Sequence, residues 1–183
     1  LILFYLANFR EADRLQREFE QAAGDLLDPY GLMQEVIEQA RARYRKLIEA
    51  VQGAFVKHLD ASGWPPSGLN ANADTFDRLV AEPLKDNGHK VAYIMVDALR
   101  YELGVALQKM LSEDGPVELE AAYAQLPTIT AVGMASLLPG ARADLNLGQS
   151  NGALTPFLGE NPVANVQQRM AYLAKRYGDR FAE

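Results

Sequence analysis

The sequence predicts an α/β domain, a partial parallel sheet, preceded by an α-helical segment. Three observations predict it. Apolar residues recur at spacings of three and four through Leu1 to Leu59. A stretch dense in chain breakers, Asp60-Ala-Ser-Gly-Trp-Pro-Pro-Ser-Gly-Leu-Asn70, then interrupts that pattern. Beyond Asn87-Gly88 the pattern alternates between strand-like and helix-like runs, the mark of βαβ units and a parallel sheet.

Taken in order, Leu15, Phe19, Ala22 and Leu26 give the apolar stripe of a first helix, which Asp28-Pro29 interrupts. Asp28 is a good N-cap and Pro29 suits a first helical position. A second helix then runs through Val36, Ala40, Tyr44, Leu47, Val51 and Phe55, and the two form a long antiparallel hairpin. After the breaker-rich loop, Thr75 to Leu84 reads as one short helix capped by Asp74. The boundary falls here, with residues 1–87 helical and 88–183 forming the α/β part.

Within the α/β part, Val91 to Val96 is a nearly continuous apolar run, the signature of a strand buried on both faces. A helix follows from Ala98 to Ser112 with Leu99, Leu103, Ala106 and Met110 as its buried stripe. Val117 to Tyr123 is the next strand and Ala131 to Leu138 a short helix. Arg142 to Gly159, rich in Gly, Asn and Leu without period, reads as an extended surface loop. Asn161-Pro162 opens a last helix that ends at Gly178.

Composition narrows the function. A chain of 183 residues that is 49% apolar can build a proper core. Its opening on Leu1 and its stop after two or three strand-like segments read as a piece cut from something longer. A formal charge of −6 argues against a stand-alone nucleic-acid binder, which needs a surplus of Lys and Arg on one face. Cysteine is absent, so no disulfide or thiolate metal site is built, which fits a cytoplasmic setting. Leu1 to Phe9 is too short an apolar run to span a bilayer and reads as a buried helix start.

Two segments carry candidate chemistry. Asp97 follows the Val91 to Val96 strand at its carboxyl end, where ligands collect in open α/β sheets. It can hold a divalent metal or cap the helix that begins at Ala98, and the roles are compatible. Thr128 and Thr130 follow Pro127 at the mouth of the short helix, with Thr130 placed as its N-cap. A phosphoryl group there would face unpaired backbone N–H groups, although threonine needs a metal or a base to become a nucleophile. Gly133 inside that helix hints at close backbone packing. Arg100 and Glu102 read as solvated or ion-paired, and His58 and His89 as surface groups. The run Arg41, Arg43, Arg45, Lys46 reads as a solvated face.

Val96-Asp97-Ala98-Leu99-Arg100-Tyr101-Glu102 and Leu126-Pro-Thr128-Ile-Thr130-Ala-Val-Gly-Met-Ala-Ser-Leu-Leu-Pro-Gly140 resemble, in content, order and separation, the PglZ domain of bacterial BREX-type phage-defence systems. That domain is regarded as a member of the alkaline phosphatase superfamily. The resemblance implies a sheet of alkaline-phosphatase-like type, a two-metal site, usually zinc, at its carboxyl ends, and a Ser or Thr nucleophile. Asp97 would be the first metal ligand. In relatives such as the nucleotide pyrophosphatases and phosphonoacetate hydrolase, the nucleophile is the second threonine of a Pro-Thr-x-Thr segment, which maps to Thr130 as nucleophile and metal ligand, with Thr128 as a supporting hydroxyl. In-line attack on phosphorus by a cation-activated hydroxyl agrees with this scheme.

The motifs cover about residues 88 to 140, and the superfamily's downstream Asp and His ligands have no counterpart, since no histidine follows Asp97. A half-site is therefore expected, with weak metal binding and little or no turnover in isolation. The helices before residue 88 loosely resemble the region that precedes the domain in longer members. The implied function is that of a fragment of a metal-dependent phosphohydrolase of phage defence, with other defence proteins as partners, nucleic acid reached through the parent protein and no membrane. The alternative is a non-catalytic scaffold or interaction module of a defence complex. A receiver-like domain phosphorylated on Asp97 ranks last, because it requires an acidic pair after the preceding strand and a Lys after a later one, and neither is present.

Overall fold

The computed structural model describes residues 2–28, 30–66, 68–86, 88–150 and 152–182. Its packing divides into two compact units, one from residues 1–68 and 100–120 and one from 69–99 and 121–183.

The first unit is helical. A short turn, α1 (Ile2–Phe4), passes through a π-helical turn at Tyr5–Phe9 into α2 (Arg10–Asp25), and α3 (Gln34–Ser62) returns antiparallel to it. The expected hairpin is present, but its seam is more polar than the expected stripe. Asp13 is buried and accepts the hydroxyls of Tyr5 at 2.7 Å and Tyr44 at 2.8 Å. Arg41 ties Glu20 at 2.8 Å across the helices, so it is not a purely solvated residue. Leu15 and Leu26, assigned to the buried stripe, are exposed, because these polar pairs occupy the face between the helices.

The second helix starts later than expected. Asp28 accepts the backbone N–H groups of Leu32 at 3.0 Å and Met33 at 2.8 Å, capping the turn before α3. The expectation for Pro29 lies outside the described residues, as does Asn87 at the expected boundary. At its other end α3 runs past Asp60 to Ser62 and stops at Gly63, whose φ of +74° suits glycine.

Helix α5 (Tyr101–Leu111) completes this unit. Its Glu102 is ion-paired and fully buried, with Arg17 of α2 donating to it at 3.1 Å. Leu103 and Ala106 face inward as expected, whereas Leu99 and Met110 are exposed.

The second unit is mixed. It begins with β1 (Asn70–Ala71), α4 (Asn72–Phe76), a π-helical turn at Asp77–Ala81 and a 3-10 turn at Pro83–Lys85. The expected helix over 75–84 is thus a series of helical turns, and its cap position is Ala71, not Asp74. β1 pairs in parallel with β2 (Ala122–Tyr123), Asn70 opposite Ala122. The parallel pairing is therefore made by β1, and residues 91–96 join no ladder. Only one side of that run is covered: Tyr93 stacks edge-on against Phe76, while Ile94 and Val96 are exposed.

Helices α6 (Thr130–Ser136) and α7 (Ala141–Asp144) follow. Residues 142–159, expected as loop, instead contain an antiparallel hairpin, β3 (Leu145–Ser150) with β4 (Ala153–Leu158). Asn161-Pro162 does not open a helix. It forms β5 (Asn161–Pro162) on the other edge of β4, and α8 (Val166–Tyr177) starts at Asn165, which makes a capping box with Gln168. Gly178 ends it as expected, with φ +54°.

Phe76, Val80, Ala135, Leu138, Leu158, Val163 and Leu173 form the core of this unit. Each large aliphatic side chain buried there stabilises by about 2 kcal/mol. Gly140 has φ +77° and donates its N–H to both Asp77 carboxylate oxygens at 3.1–3.2 Å, a turn that locks α6 and α7 onto the α4 region. A Cβ at Gly133 would meet nothing within 4 Å, so that glycine serves no close approach.

Candidate functional site

Asp97 and Thr130 come together in the second unit. Tyr93 donates its hydroxyl to the carbonyl oxygen of Leu137 at 3.0 Å, just beyond the end of α6. Four residues further along, Asp97 reaches the start of the same helix. About 13 Å of extended chain from Tyr93 to Asp97 thus runs beside about 10 Å of helix rise from Leu137 back to Thr130. The buried Val132, Ala135 and Ser136 seat that helix, and the Ser136 hydroxyl donates to Gly133 O at 2.7 Å.

Thr130 Oγ1 donates to Asp97 Oδ2 at 3.1 Å, and the Ala98 backbone N–H donates to Asp97 Oδ1 at 2.9 Å. Neither residue caps a helix. α5 begins only at Tyr101 with Arg100 at the cap position, and Thr130 is already the first residue of α6 with Ile129 as its cap. The hydroxyl goes to Asp97 instead of to the helix backbone. Ala98 sits at φ +54°, a left-handed conformation that an alanine adopts at a cost. Asp97, Thr128 and Thr130 are all exposed, and the Thr128 hydroxyl has no hydrogen-bond partner among the described residues.

Two oxygens 3.1 Å apart match two neighbours in a cation's shell, which for bonds of about 2 Å in tetrahedral geometry lie about 3.3 Å from one another. A carboxylate and a hydroxyl suit a hard divalent cation and are also accepted by zinc. Among the described residues no group of three or more His, Cys, Asp or Glu side chains converges, so the pair fits as part of a shell. His89 lies elsewhere, its Nδ1 2.9 Å from Asp86 on the surface. His58 lines a cleft with Phe55 and Trp64 in the first unit.

One buried charged residue of this unit was not anticipated. Arg169 of α8 is 5% exposed, and burial pushes its guanidinium below the ordinary arginine range, with the charge of Asp97 acting in the opposite direction. The signal was legible: an arginine beside Met170 and one turn before Leu173 lies on the apolar face of an amphipathic helix.

Residues 75–180, more than half of the chain, match the family model described as the BREX system PglZ alkaline phosphatase-like domain. The alkaline phosphatase-like protein PglZ of Bacillus cereus (strain H3081.97) is 31% identical over 118 residues, which cover 63% of this chain. The matched stretch spans 13% of that relative's length. No solved structure matches the chain. Among the described residues no helix is long and apolar enough to cross a membrane. From the match over residues 75–180, the chain belongs to the PglZ family of alkaline phosphatase-like domains.

Proposed function

We propose that this chain contributes to a metal-dependent phosphohydrolase of phage defence, with Thr130 as nucleophile and Asp97 as a ligand to a divalent cation, zinc in the first instance. The observation that carries the reading is the 3.1 Å contact between Thr130 Oγ1 and Asp97 Oδ2, in a chain whose family is alkaline phosphatase-like. Because the hydroxyl donates its proton toward the carboxylate, both of its lone pairs remain free for an electrophile. Asp97, held on its other oxygen by the Ala98 N–H, keeps a fixed orientation. A bound cation would supply Lewis-acid stabilisation of charge developing on a phosphoester. Thr128 stands two residues away as a supporting hydroxyl.

The reading extends to the parts that surround the pair. The segment from residue 88 onward belongs to a sheet of alkaline-phosphatase-like type in the longer protein, and the helices of residues 1–87 precede it. Substrates are phosphomonoesters or phosphodiesters, nucleic acid included. Partners are other defence proteins, and the setting is the cytoplasm. The second reading, a scaffold without turnover, draws support from the absence of a third metal-ligating side chain near Asp97 among the described residues.

The test uses the full natural polypeptide with p-nitrophenyl phosphate and bis(p-nitrophenyl) phosphate. Chelation with EDTA should abolish hydrolysis and zinc should restore it. Thr130→Ala should lower turnover by about a thousandfold or more, with Thr130→Ser retaining a measurable part. Undiminished turnover in T130A would move the nucleophile to Thr128 or to water. No turnover in the wild type under any divalent metal would leave the scaffold reading.

A further inference from the structure

The tip of the helical hairpin reverses the usual order of polar and apolar surface. The seam between α2 and α3 is built from polar pairs, yet the turn beyond it holds six large apolar side chains against solvent. They are Leu26, Leu27, Tyr30, Leu32, Met33 and Val36, with Leu27 94%, Tyr30 84% and Leu32 78% exposed. The turn that presents them is ordered. Asp28 fixes the N–H groups of Leu32 and Met33, Gly31 donates its N–H to the Asp28 carbonyl at 3.2 Å, and Gln34 donates to that of Gly31 at 3.3 Å. A held apolar knob of this kind marks a surface that another molecule covers, because contiguous apolar patches on monomers rarely exceed roughly a few hundred Å².

Charge decides what covers it. From Glu18 to Ala40 the chain carries six carboxylates and no Lys, Arg or His. Of these, Asp25, Asp28 and Glu35 pair with no cation among the described residues. Such a rim repels nucleic acid and anionic lipid and selects a basic surface. The same unit carries one, since Arg43, Arg45 and Lys46 of α3 are exposed and without an ion pair among the described residues. Within one chain the two cannot meet, because eight residues of helix hold Glu35 and Arg43 about 12 Å apart. Between two chains they can meet twice. We propose that the hairpin tip docks on the basic stretch of α3 in a second copy of this chain, the two α3 helices forming an antiparallel, two-fold pair that crosses at Gln39. That crossing sets Glu35 opposite Arg43 in both directions and brings Leu32 beside Leu47, itself 43% exposed. Val36, Gln39, Arg43, Leu47 and Ala50 recur at spacings of three and four and are all exposed, so one stripe of α3 is free to make the contact. The apolar stems of Arg43 and Lys46 extend the buried surface toward the roughly 800 Å² per partner of a stable interface.

Sedimentation velocity on the full natural polypeptide at micromolar concentration reads the pairing directly, and the wild type should sediment as a dimer that weakens with added salt. Glu35→Lys should raise the dimer dissociation constant on the order of tenfold or more, because a two-fold interface contains each contact twice. Arg43→Glu should do the same. The double variant E35K/R43E exchanges the charges and should return the constant to within about threefold of the wild type, a rescue that a merely structural role for either residue does not produce. Leu27→Ser changes a side chain that faces solvent in the single chain and should also weaken the dimer. It carries the test if a charge variant does not fold. A wild type that stays monomeric overturns the assignment, whether the tip is then covered by another protein or by the rest of its own polypeptide. A dimer indifferent to both E35K and L27S overturns it too, as does a double variant no tighter than the single ones.

Discussion

Ala98 is the residue on which the orientation of Asp97 turns. Its N–H donates to the Asp97 carboxylate at 2.9 Å while its φ is +54°, and a Cβ in that region costs about 1–2 kcal/mol. Glycine removes that cost but adds unfolded-chain entropy of up to about 1 kcal/mol. Ala98→Gly should therefore stabilise slightly, on the order of 0.5 kcal/mol, measured by chemical denaturation. A loss of stability there would mean the alanine methyl packs usefully. At this scale the sequence singled out two residues that the structure brings into contact, and it was poor on capping. A carboxylate after an apolar run and a Pro-Thr-Ile-Thr segment pointed to Asp97 and Thr130, and the two are in contact. Asp and Thr next to a helix start also satisfy the capping pattern, and nothing local reveals that their side chains bond each other across 33 positions instead.

Helix α8 shows what an element can and cannot disclose in advance. Its end at Gly178 was readable, because glycine adopts the positive φ that stops a helix. Its start was misassigned to Asn161-Pro162, since proline suits a first helical turn and an edge strand equally well. The true signal was Asn165 followed by Gln168. Asn165→Ala should lower stability by about 1 kcal/mol, read as a drop in the urea midpoint, and no change would show that the reciprocal bonds contribute nothing. The β3–β4 hairpin was missed for a related reason. Gly148 and Pro156 interrupt the alternation of branched residues, and at Gly148, which lies opposite Thr155, a Cβ would come within 3.1 Å of the Phe157 ring. Residues 91–96 show the reverse error: a continuous apolar run promised burial on both faces, yet the structure covers the Tyr93 side alone.

Over the whole molecule, both units bury tyrosine hydroxyls. Burial, joined by the bond to Asp13, pushes Tyr44 up to about 12, and burial alone pushes Tyr93 up to about 12. In an unfolded chain each would ionise near the ordinary value of about 10. The stability these groups contribute is complete below about pH 10 and is lost as pH climbs toward 12, because the unfolded chain then releases protons that the folded one retains. Thermal midpoints should fall through that window, and Tyr93→Phe should flatten the fall while lowering the baseline through loss of its bond to Leu137. A slope unchanged in Y93F would remove Tyr93 as a cause. The helical hairpin and the mixed character of the later half were legible at this scale from periodicity alone. The way the units draw on the chain was not. The buried Arg17–Glu102 bridge joins positions 85 residues apart, so the helical unit takes its closing carboxylate from beyond residues 69–99, which belong to the other unit. During synthesis, then, Arg17 leaves the ribosome long before its counter-ion exists, and the first unit stays open until the start of the second has already emerged.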